Sequence, residues 1–113
     1  MWLTATGENG DLLVFEAPGE GEEKIIGRRV DTDVVLPNSS VSRRHARVLC
    51  AGGQYFVEDL GSSLGTFLNQ QRVDVMTPFA PGDELLIASY VVRLSDHPDG
   101  MPSARPAPSP TGS

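Results

Sequence analysis

Apolar side chains recur along this chain in short alternating runs and never hold a sustained helical spacing with caps. The runs are rich in β-branched and aromatic residues, and Gly, Pro, Asn or Asp breaks them every few positions. The pattern predicts strands over residues 2–6, 12–16, 24–27, 33–36, 45–50, 55–60, 66–68, 72–73, 84–88 and 90–94. Many short strands at regular spacing predict an all-β chain folded as a sandwich.

The turns between them have chemical reasons. Glu8-Asn9-Gly10-Asp11 and Ala51-Gly52-Gly53 supply residues that tolerate positive φ, so each predicts a hairpin. Asn69-Gln70-Gln71 is a turn without the usual Gly, and Ala88-Ser89 is a tight turn between the last two strands. From Met76 onward the chain reads as a long loop, which Pro81-Gly82-Asp83 ends before a final hairpin. Pro18-Gly19-Glu20-Gly21-Glu22-Glu23 reads as a solvated acidic loop, and there is no internal repeat.

After Leu94 the composition changes. His97-Pro98-Asp99-Gly100 leads into a Pro- and Ser-rich segment with almost nothing apolar enough to bury. The expected division is one domain over residues 1–96 and a disordered tail or linker over residues 97–113. A chain of 113 residues is long enough for one core without metals or disulfides. Cys50 is the only cysteine, which rules out an internal disulfide and fits a reducing compartment. The first residues alternate instead of forming a basic stub and an apolar run, and no apolar stretch approaches about 18 residues. The chain is therefore expected to be soluble, intracellular and without a membrane partner.

A net charge of −6 argues against binding nucleic acid through general electrostatics, which wants a basic face. Its distribution says more. Of nine Lys and Arg, five (Arg28, Arg29, Arg43, Arg44 and Arg47) fall between positions 28 and 47, opposed there only by Asp31 and Asp33. A local basic cluster on an acidic body suits a small anionic group better than a polyanion.

Three polar clusters stand out against the alternating background: Gly27-Arg28, then Ser42-Arg43-Arg44-His45, then Asp59-Leu60-Gly61-Ser62-Ser63-Leu64-Gly65-Thr66-Phe67-Leu68-Asn69. In this order and spacing they resemble the forkhead-associated (FHA) domain, a module that binds phosphothreonine peptides, and the resemblance covers roughly residues 1–94. It implies a twisted β-sandwich of two antiparallel or mixed sheets with about 10–11 short strands, its ligand held by loops at one end. It also implies that Arg28 holds the phosphate oxygens with a planar fork that lysine cannot reproduce. The Ser42 hydroxyl becomes a phosphate donor, Arg43 a second cation, and Ser63 a further hydroxyl at the phosphate site. His45, Gly27, Gly65 and Thr66 become structural supports, with His45 rigidifying the binding loops. At Leu64 the chain departs from the family pattern, which has an asparagine there to clasp the backbone of the peptide. Arg44 and Arg47 read as solvent-facing charges.

Enzymatic readings lack a complete set of groups. Ser42 and His45 are three apart, but no G-x-S-x-G elbow surrounds the serine and no partnered acid is evident. Two histidines (His45, His97) and one cysteine have no metal-type spacing, and residues 61–65 lack the Lys-Ser/Thr of a nucleotide-binding loop. No catalysis, metal or cofactor is expected; the expected partner is a phosphothreonine-bearing protein or peptide, met by a monomer. Three other readings stay open. One is a phospho-independent interaction domain whose peptide site has drifted at Leu64, an exposed apolar sheet face doing the binding. A second is an enzyme, and a third is recognition of Thr111 in the chain's own tail. As to subfamily, the opening Met1-Trp2 and the bulky Leu64 are similar to nibrin, a nuclear DNA-break protein. Val41-Ser42-Arg43-Arg44-His45-Ala46 is common in bacterial FHA proteins of Ser/Thr kinase signalling, which would place the chain in the cytoplasm.

Overall fold

The computed structural model describes residues 1–96. The expectations for residues 97–113, including the tail, His97 and Thr111, lie outside the described residues. Eleven strands follow one another without a helix among the described residues: β1 Trp2–Thr6, β2 Leu12–Glu16, β3 Glu23–Gly27, β4 Val34–Val35, β5 Ala46–Ala51, β6 Gln54–Asp59, β7 Thr66–Leu68, β8 Gln71–Arg72, β9 Thr77–Phe79, β10 Leu85–Ile87 and β11 Tyr90–Ser95. They form two sheets, one of six strands in the order β2-β1-β11-β10-β7-β8 and one of five in the order β4-β3-β5-β6-β9. All pairings are antiparallel except β3 with β4, so the five-stranded sheet is mixed. The all-β sandwich is as expected.

Alternation decides which side chains fill the space between the sheets. On β11, Tyr90, Val92 and Leu94 are buried while Val91, Arg93 and Ser95 are not; on β5, Ala46, Val48 and Cys50 point inward. Leu3, Ile26, Val57, Phe79 and Leu85 complete the centre of the core. Burying each such Val, Leu, Ile or Phe is worth about 1.5–3 kcal/mol against leaving it in water. The hairpin turns both need positive φ: Gly52 and Gly53 supply it readily at 62° and 76°, whereas Asn69 and Gln70 are held at 50° and 73° without glycine.

Three sequence expectations need correction. Residues 77–79 are a strand, not part of a long loop: β9 lies at the edge of its sheet beside β6, where Pro78 withholds no ladder bond on its outer side. The acidic run 18–23 is not merely solvated. Glu20 accepts hydrogen bonds from the backbone N–H of Gly52 at 2.6 Å and Gly53 at 2.9 Å, and these two donors hold its carboxyl below the usual range. Nor does Arg47 simply face solvent: its guanidinium is partly buried between Glu23, at 2.9 Å, and Glu58.

Register places one end of the sandwich at the three polar clusters. Ile26 pairs with Ala46, and Ala46 pairs with Asp59, so the end of β3, the start of β5 and the end of β6 lie side by side. Residues 60–65 then cross to the other sheet, where β7 begins at Thr66 opposite Ile87.

Candidate phosphopeptide site

Gly27 closes β3 in a space with no room for a side chain. A β-carbon there would lie 2.0 Å from the carbonyl oxygen of Arg43 and 2.9 Å from its carbonyl carbon. Glycine thus lets the second cluster lie directly on the end of β3. That contact sets up Arg28. Its backbone N–H donates to the Ser42 carbonyl at 3.1 Å, and its side-chain Nε donates to the Val41 carbonyl at 3.0 Å. The guanidinium is therefore aimed by one edge, while its two terminal nitrogens have no hydrogen bond or ion pair among the described residues. A fork held in this way and left open is suited to accepting two oxygens of one anion.

His45 is fully buried beneath this loop. Its Nδ1 accepts the backbone N–H of Ser42 at 3.1 Å, so the ring hydrogen sits on Nε2, which donates to the Gly65 carbonyl at 2.9 Å. Its own backbone joins in: the His45 N–H donates to the Ile26 carbonyl, and the His45 carbonyl accepts from Leu60. One residue thereby ties β3, the second cluster and both ends of the loop over residues 60–65. Above it, the backbone N–H of Ser63 donates to Ser42 Oγ at 3.0 Å. With that oxygen acting as acceptor, the Ser42 hydroxyl hydrogen remains available to a ligand.

The third cluster is organised by Asp59, to which the sequence reading gave no role. Its Oδ2 accepts the backbone N–H groups of Gly61 at 2.9 Å and Ser62 at 3.1 Å; its Oδ1 accepts the hydroxyls of Ser62 and, at 2.7 Å, Thr66. Burial works against the charge on Asp59, but the bonds from Ser62, Thr66 and Gly61 outweigh it and hold the carboxyl below the usual range. The signal was present as an aspartate two residues before a glycine, the spacing of a side chain that bonds its own backbone further on. Thr66 is fully buried and Ser62 nearly so, whereas Ser63 and Leu64 face solvent, Leu64 at 55%. Gly65 is buried with φ of 86°, a conformation that favours glycine.

The basic cluster shrinks once partners are assigned. Arg29 pairs with Asp31 at 3.2 Å and Arg47 with two glutamates, leaving Arg28, Arg43 and Arg44 exposed without acidic partners among the described residues. Direct contacts link Gly27, Arg28, Ser42, Arg43, His45, Ser63, Gly65 and Thr66 into one assembly through His45 and Asp59, and Leu64 lies exposed in the same loop as Ser63. Among the described residues no group of three or more His, Cys, Asp and Glu could hold a metal ion.

The FHA domain family model matches residues 24–88, a span that contains the whole assembly. The glycogen accumulation regulator GarA of Mycolicibacterium smegmatis is 36% identical in an 86-residue alignment that covers 70% of this chain and 54% of that protein. The chain spans about half the length of the curated relatives it matches. Among solved structures, Mycobacterium tuberculosis EmbR in complex with a low-affinity phosphopeptide has a TM-score of 0.65 at 26% identity, covering 81% of this chain and 24% of that one. Another, described as a structural and functional analysis of phosphothreonine-dependent FHA domain interactions, has a TM-score of 0.67 at 29% identity and covers 87% of this chain and 99% of that one. With the family model matching more than half of its length on an eleven-stranded two-sheet sandwich, this chain belongs to the FHA domain family.

Proposed function

We propose that this chain is a phospho-dependent interaction module of Ser/Thr kinase signalling, capturing a phosphothreonine-bearing segment of a partner protein without chemistry. The observation that carries the reading is Arg28: Val41 holds Nε at 3.0 Å, the terminal nitrogens stay open, and the spare hydroxyl hydrogen of Ser42 lies on the same loop. A phosphate of about −1.5 to −2 charge then meets a prearranged fork and hydroxyl, with Arg43 as a second cation and Ser63 as a further hydroxyl. Phosphorylation of the partner is the switch. Likeness to the EmbR phosphopeptide complex and to phosphothreonine-dependent FHA domain interactions supports it.

The pairing of β1 with β11 supports residues 1–96 as the folding unit, acting as a monomer that does not bind nucleic acid. The mycobacterial relatives favour the bacterial reading over the nibrin-like one, and with it the cytoplasm. No helix among the described residues is long and apolar enough to cross a membrane.

One observation favours a second reading. Cross-strand register lines up Leu12, Thr6, Val91, Leu86 and Phe67 on the outer face of the six-stranded sheet, with Leu12 44% and Leu86 41% exposed. That row could hold a partner regardless of phosphate. Titration with a phosphothreonine peptide and its unmodified twin separates the two: phospho-dependent capture requires that only the first bind.

A further inference from the structure

Arg72 ends β8 opposite Phe67, at the margin of the six-stranded sheet nearest the third cluster. Its guanidinium lies beside the bare α-carbon of Gly65: a β-carbon built there would touch Arg72 Cζ at 3.4 Å and Nη2 at 3.6 Å, with Phe67 Cε1 at 3.3 Å. The bare α-carbon of Gly65 is thus a seat for the guanidinium, with the Phe67 ring at its edge. Nε faces Asp74 Oδ1 at 3.3 Å, which steadies the group, and the terminal nitrogens make no hydrogen bond among the described residues. The side chain is 57% exposed.

Gly65 therefore has two neighbours of different kinds. Its carbonyl receives His45 Nε2, which anchors the phosphate loop, and its α-carbon carries Arg72. Leu64, more than half exposed, is the preceding residue of the same loop. A peptide whose phosphate is held at Arg28 and Ser42, and whose backbone passes Leu64, comes next to an open guanidinium that has no part in holding the phosphate.

Resting on the proposed phosphopeptide reading, we infer that Arg72 is a specificity-determining residue that selects an acidic side chain, Asp or Glu, at one position flanking the phosphothreonine. Lysine would not serve equally, because the planar guanidinium can both rest on Gly65 and offer two donors to a carboxylate.

The test uses phosphothreonine peptides with alanine flanks, into which one Glu or one Lys is placed in turn at each neighbouring position. Wild type, Arg72→Ala and Arg72→Glu are titrated with each, and thermal melting confirms that all three fold. At one position wild type should prefer Glu over Lys by roughly 3–10-fold, the scale of an exposed ion pair. Arg72→Ala should erase that preference and Arg72→Glu reverse it, while the all-alanine phosphopeptide binds the three proteins within about twofold. A preference that survives in Arg72→Ala, or wild type that binds the all-alanine phosphopeptide but ignores flanking charge, overturns the role of Arg72 alone. Wild type that binds no phosphopeptide overturns the underlying reading, and this one with it.

Discussion

The backbone N–H of Ser63 donates to Ser42 Oγ at 3.0 Å, a bond that joins the loop before β5 to the loop that crosses from one sheet to the other. The bond uses the oxygen of Ser42 as acceptor and leaves its hydrogen free for a ligand. Ser42→Ala should weaken phosphopeptide binding by about 1.5–3 kcal/mol, the worth of a hydrogen bond to a charged group. Stability should fall by only about 0.5–1.5 kcal/mol, since one loop bridge is lost. Calorimetric titration and denaturant unfolding of the same samples measure both. Unchanged affinity would mean that the hydroxyl does not meet the phosphate.

His45 makes the opposite division. It touches no solvent, and its removal leaves the Ser42 N–H and the Gly65 carbonyl unpaired, each at about 1–3 kcal/mol. His45→Ala should therefore lower the melting temperature clearly and weaken binding as a consequence. A variant that melts like wild type and yet has lost binding would make His45 a direct ligand contact.

Asp59 ties the third cluster to pH. Its carboxyl lies below its ordinary value in the folded chain, and such a group stabilises the fold above its unfolded pKa of about 3.9. That stabilisation should be complete above about pH 4 to 5 and disappear as pH falls through the lower folded value. Asp59→Asn should be less stable than wild type near neutrality by about 1.5–3 kcal/mol, with the gap narrowing in acid. Denaturant midpoints across this range measure the difference, and a gap that stays constant into acid would contradict the role given to the carboxylate.

Much of this was legible before the structure. Alternation and Gly- or Asn-bearing turns located ten strands, three of them with the observed bounds, because most turn one face to the core and the period of two survives, whereas both residues of β8 are exposed. β9 was hidden because Thr77, Pro78 and Phe79 are too few to show a period and Pro78 reads as a breaker away from an edge. At the site, Gly27, Arg28, Ser42 and His45 stood out by type and order, but the reason for Gly27 did not. That reason is the carbonyl of Arg43, 16 residues on, which only the packing of the loop on β3 brings near. Asp59 and Arg47 were obscured for a related reason: their partners come from cross-strand register and loop closure, and net charge along the sequence shows neither.

Leu64 offers a test by sign. More than half exposed in the free chain, it contributes little to the core, so substitution there should leave stability unchanged. Leu64→Asn should tighten phosphopeptide binding by about 0.5–1.5 kcal/mol for each hydrogen bond gained to the peptide backbone. Weaker binding, with the fold intact by circular dichroism, would show instead that the leucine meets an apolar group worth about 1.5–3 kcal/mol.

The central claim is that the open fork of Arg28 captures the phosphate. The most direct measurement takes the best binder from a degenerate phosphothreonine-peptide library and titrates it, with its unmodified twin, into wild type, Arg28→Lys and Arg28→Ala by calorimetry. Wild type should bind the phosphopeptide and not its twin. Arg28→Lys should retain part of the affinity, and folded Arg28→Ala should lose about 1.5–3 kcal/mol or more, since two charge-assisted bonds disappear together. Wild-type affinity in folded Arg28→Ala, or equal binding of the two peptides by wild type, would contradict the account.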